Sequence, residues 1–165
     1  MRATKEKDFW AAAAILIATI AVMLVVILHW VSIGFFVGPI RLSHWFVWIG
    51  TIYVAFTVPI IAVLKKRHPQ QYKTLFRIHV FGNLLAFMLI SLHFASQISR
   101  SPAPELGTGL ALYIAMVLLV GTGFLQRFQL IPSIKPQSYR FVHMGSAVSF
   151  YLIIIVHILH GLALL

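Results

Sequence analysis

The 165 residues contain no cysteine. That absence excludes disulfides, thiolate metal sites, ordinary iron–sulfur clusters and the C-x-x-C-H attachment of c-type haem. Acids are nearly as scarce. Glu6, Asp8 and Glu105 are the whole complement, and all three are read as lying outside the apolar runs. A proton or metal pathway built on intramembrane carboxylates has nothing to use. Charged residues of either sign make up only 10% of the chain, against about a quarter in soluble domains. With 61% apolar residues and a mean hydropathy of +0.96, the chain carries more apolar surface than a soluble fold can hide. The expected class is all-α, a polytopic membrane protein whose residues 1–165 form a single membrane domain.

Long hydrophobic runs are what the sequence has instead. The polar opening MRATKEKD precedes a run from Trp10 to about Ile33. That run is longer than a signal-peptide core and no small-x-small site closes it, so it reads as a retained helix over 10–33. Gly34, Gly38 and Pro39 mark a turn. Further helices are predicted over 42–64, with Pro59 near the end as a kink point, and over 76–98, 108–125 and 139–165. The basic segment KKRHPQQYKTLFR, the connector SRSPAPELGTG and the loop QRFQLIPSIKPQS separate them. Five transmembrane helices result, the last four forming a core and the first an addition.

The basic residues set an orientation. The N-terminus and the segments after helices two and four hold Arg2, Lys5, Lys7, Lys65, Lys66, Arg67, Lys73, Arg77, Arg127, Lys135 and Arg140. The opposite side holds only Arg41 and Arg100. Cytoplasmic loops concentrate Lys and Arg, so a multi-pass protein of the cell membrane is expected, with its N-terminus cytoplasmic and its C-terminus outside. The net charge of +10 is a matter of topology, and no nucleic-acid partner is expected.

Eight histidines are present, and four fall into two pairs of equal spacing. His79 and His93 lie 14 positions apart in the third run, as do His143 and His157 in the fifth. Chance gives roughly 0.3 pairs at any chosen spacing. Fourteen residues make just under four helical turns, so both rings leave one face, about 21 Å apart along the axis. Neutral imidazole is the usual axial ligand of haem b. The third and fifth helices run in the same direction. His79 and His143 therefore match near the cytoplasmic ends, and His93 and His157 near the outer ends. Two non-covalent bis-histidine haems b are expected, their irons about 20 Å apart.

Gly82, Ala95, Gly145, Ser146, Ala147 and Gly161 lie within a turn of these positions and leave room for a flat ring. Arg77 and Arg140, just before the inner ligands, suit haem propionates, as do Arg41 and Arg100 on the outer side. His44, in the string RLSHW, is an alternative outer ligand opposite His157, and His160 lies one turn beyond. His68 reads as solvated and His29 as an interfacial residue. Against haem stand two plainer readings: a proton or metal transporter, and a membrane anchor subunit, each keeping intramembrane histidines without a haem.

The two His-x13-His helices resemble the transmembrane domain of ferric reductases and NADPH oxidases. They are also similar to cytochrome b of quinol–cytochrome c oxidoreductases. RLSHW at 41–45, with the terminal HILHG, is similar to the cytochrome b subunits of membrane hydrogenases and formate dehydrogenases. That last resemblance implies His44 with His157 and His79 with His143. The others imply His93 in place of His44. All agree on His79, His143 and His157, and cover roughly residues 41–165. No flavin or nicotinamide domain is present in the sequence, so any hydride chemistry comes from elsewhere. The resemblances imply an electron-transfer subunit of a membrane oxidoreductase, with quinone, ferric or superoxide chemistry. The expected partners are membrane lipid, a quinone and a redox partner subunit.

Overall fold

A computed structural model describes residues 2–100 and 107–161. Five helices carry it: α1 (Arg2–Ile27), α2 (Leu42–Arg67), α3 (Tyr72–Ile98), α4 (Gly107–Phe128) and α5 (Pro136–Gly161). Each is long and apolar enough to cross a membrane, which is the all-α, multi-pass class expected from the sequence. A hairpin of β1 (Phe36–Val37) and β2 (Ile40–Arg41) separates α1 from α2. Its two-residue turn is Gly38-Pro39, and Gly38 takes a φ of +66° that suits glycine at the first turn position. The chain divides into two compact units, Met1–Pro104 and Glu105–Leu165.

In the first unit α3 packs against both α1 and α2. Its membrane-length window is 44% buried, against 17% for each neighbour, so α3 is the core element. Val26, Leu92 and Ala95 form a buried cluster where α1 ends beside α3. At the other end of α1, Asp8 accepts a hydrogen bond from Arg77 Nη2 at 2.9 Å. Small residues let α2 approach α3. A Cβ at Gly50 would lie 2.9 Å from the Ala86 carbonyl oxygen, closer than real contacts allow. A Cβ at Gly82 would overlap the Tyr53 hydroxyl, which donates to the Ile78 carbonyl at 3.0 Å.

The second unit is an antiparallel pair. Leu112, Ala115, Met116 and Leu119 form a buried stripe on α4 at helical spacing, and Phe150 and Ile154 are buried on α5. Outside these seams the helices expose Ile17, Phe56, Phe141 and Leu152. Water would penalise such faces, whereas lipid tails solvate them.

The helix ends depart from the sequence reading for local reasons. α1 begins at Arg2 and not at Trp10, because Ala, Lys and Glu are good helix formers. Asp8 consequently lies inside the apolar span Lys5–Ile27, buried at 8% exposure, a correction to its expected place outside the runs. Glu6 shares that span but is exposed. Glu105 lies outside the described residues.

α1 also stops at Ile27, short of Ile33. His29 turns left-handed there with φ 59°, and the amides of His29 and Trp30 close back on the carbonyls of Val26 and Val25. α2 runs unbroken through Pro59 to Arg67, its last turn holding Lys65, Lys66 and Arg67 against the helix dipole. α5 begins at Pro136, whose missing amide hydrogen is no loss at a first turn, and its expected end at Leu165 lies outside the described residues.

Candidate functional site

In the second unit the histidines of α5 meet a repeat on α4. The string GTG occurs at 107–109 and again at 121–123, the same 14-residue interval that separates His143 from His157. Because the helices are antiparallel, the first repeat meets the second histidine. Thr108 Oγ1 lies 3.0 Å from His157 Nδ1. Thr122 Oγ1 lies 3.3 Å from His143 Nδ1, and that ring nitrogen donates to the Leu119 carbonyl at 3.0 Å. A carbonyl only accepts, so the His143 proton sits on Nδ1 and, in the neutral ring, the lone pair sits on Nε2. Gly123 makes room for its ring, since a Cβ there would come 3.0 Å from His143 Cε1, whereas a Cβ at Gly109 would stand in ordinary contact with His157 Cε1 at 3.4 Å.

The first unit tethers its histidines by the same nitrogen. His93 Nδ1 donates to the Ser43 carbonyl at 3.1 Å, which fixes the same tautomer. Beside it stands His44, edge to face, with ring centroids 5.1 Å apart. His44 Nδ1 is buried with no hydrogen-bond partner. The two candidates for the outer ligand therefore share one place. One turn of α2 presents both the carbonyl that orients His93 and the competing ring.

His79 Nδ1 lies 3.0 Å from Asn83 Nδ2, while Asn83 Oδ1 is buried without a partner. Either orientation of the amide pairs with this nitrogen: as placed Nδ1 accepts from Nδ2, and with the amide's oxygen and nitrogen exchanged it donates to Oδ1 and leaves the lone pair on Nε2. Metal-bound histidines are commonly oriented in this way, by a hydrogen bond at the nitrogen that does not bind.

The expected arginines stand near the helix ends. Arg77 is committed to Asp8 while its side chain is half exposed. Arg140 is exposed. Arg41 covers the Phe36 ring at 5.3 Å, close to Arg100. Gly82 serves the contact with Tyr53, whereas Gly145 and Gly161 would meet nothing within 4 Å. His68 and His160 are exposed. Among the described residues, no three His, Asp or Glu side chains gather as a metal-ion site. What recurs is a ring held through Nδ1, by Thr108 or the Leu119 carbonyl on α4 and by the Ser43 carbonyl on α2.

Sequence reading missed Thr108, Thr122, Leu119, Ser43 and Asn83. The signal for the threonines was present, a repeat on α4 at the interval of the histidines.

No family model matches the chain, and neither a curated protein nor a solved structure does. The functional reading rests on the residues themselves.

Proposed function

We propose that this chain is a dihaem b-type membrane cytochrome that passes single electrons across the bilayer. His79 and His143 hold one haem, and His93 and His157 the other. His44 is the alternative to His93, whose Nδ1 tether favours it. The observation that carries the reading is the matched 14-residue interval on α4 and α5, which gives each α5 histidine a threonine partner. When bound, such haems would accept and release one electron each, with these histidines holding the irons.

The chain's own residues orient the rings. The Leu119 and Ser43 carbonyls hold protons on Nδ1 of His143 and His93, Thr108 steadies His157, and the apolar helix faces keep water away. The N-terminus is cytoplasmic by charge bias. The chain serves as the electron-transfer subunit of a membrane oxidoreductase, with a quinone at one face and a redox partner at the other.

The test is the haem content of purified protein, read as the reduced b-type absorption band and extraction by acid acetone. Two haems per chain are expected. His143→Ala should remove one, and His44→Ala should leave both. One haem in the unaltered protein, or none, sinks the proposal.

A further inference from the structure

Away from the histidine pairs, a cavity of about 240 Å³ opens where α1 ends, α2 begins and α3 ends. Its walls include His29, Ser32, Arg41, Ser96, Ser99 and Arg100. Arg100 Nε and Nη2 are shut off from solvent with no hydrogen-bond partner. Leaving charged donors unmade costs more than leaving neutral ones. Burial first, and then the neighbouring Arg41 guanidinium, push Arg100 down from the ordinary arginine range. Two cations on one cavity repel each other unless a negative group stands between them.

Within the described residues the acids offer no such group. Asp8 and Glu6 sit at the opposite end of α1, with Asp8 about 27 Å along the axis from Val26 at the cavity wall. His29, the left-handed residue that closes α1, also stands in the wall.

We infer that this cavity binds a small oxyanion, a phosphate or carboxylate group, between Arg41 and Arg100. Guanidinium forks match paired oxygens in both geometry and charge. The volume equals about eight waters, below the ~300 Å³ at which pockets begin to take drug-sized organic molecules. A phosphate or the phosphate of a lipid headgroup fits, and a haem does not. None of His79, His93, His143 or His157 lines the walls, so the site stands apart from the proposed haem ligands. The anion comes either from solution or from a membrane phospholipid.

The experiment uses the full chain, purified in detergent and delipidated, with inorganic phosphate titrated by calorimetry. Copurifying phospholipid is read by native mass spectrometry before delipidation, and haem per chain is measured on every sample. Saturable phosphate binding is expected, at least tenfold weaker in R41Q and R100Q, with haem content unchanged. R100K keeps the charge and should bind with intermediate strength, which guards against a variant that merely misfolds.

If phosphate does not bind but the wild type retains phospholipid that R41Q and R100Q lose, the site stands and its anion is a lipid phosphate. Three results overturn the inference: both variants matching the wild type in both assays, no phosphate and no retained phospholipid in the wild type, or loss of a haem in R100Q. The last would make Arg100 a propionate ligand.

Discussion

His143 and His157 occupy equivalent places on α5 but are not tethered equally. His143 Nδ1 has two acceptors, the Leu119 carbonyl and the Thr122 hydroxyl, and Thr122 itself donates to the Leu118 carbonyl at 2.7 Å. His157 Nδ1 is paired with Thr108 alone among the hydrogen bonds described. Thr→Val keeps the shape and removes the hydroxyl, so the two substitutions should differ. T108V leaves its ring without that tether and should loosen the proposed haem roughly tenfold, the lower end of the effect of losing an orienting partner. T122V leaves the carbonyl bond in place and should change affinity by much less. Haem transfer to an excess of apomyoglobin measures both, and equal effects would contradict the tethering argument. At this scale the sequence was only half legible. The histidines stood out because polar rings in apolar runs are costly, whereas Thr and Gly read as punctuation and their repeat was absorbed into a connector.

Helices were the most legible elements, and their ends the least. Apolar runs announce a span, but a chain leaving the membrane can stay helical through Lys, Glu and Arg, as α1 and α2 do at Arg2 and Arg67. The hairpin 36–41 was visible only as a turn, since two residues per strand are too few for any alternation to show. Asp8 was misplaced because α1 starts eight residues early, and its partner went unseen because it lies 69 positions away, where no local pattern announces it. That pair fastens α1 to α3. The Arg77 side chain is 50% exposed, so D8N should cost about 1 kcal/mol or less, read as a lower midpoint of thermal unfolding in detergent. R77Q should cost a similar amount, and the double variant should cost little more than either alone. Haem content should hold in all three. A haem lost in R77Q but kept in D8N would assign Arg77 the propionate role expected from its position.

On the scale of the whole molecule, five crossings would put the termini on opposite sides of the bilayer, and the eleven-to-two distribution of basic residues underlies the proposed cytoplasmic N-terminus. A tag fused after Leu165 should react with an impermeant label in intact cells, while one before Met1 should be protected until lysis. The reverse pattern would invert the proposed orientation.

The paired intervals on α4 and α5 carry a consequence for how this chain can vary. Adding one residue between Thr108 and Thr122 moves one threonine about 1.5 Å along the helix and about 100° around it relative to the other. No sliding of α4 along α5 restores both contacts, because a shift that mends one breaks the other. Side chains along these stretches are free to drift, but their length is not. The two helices work as a pair of rulers with the same graduation, and a deletion in one is silent only when the other loses the same amount.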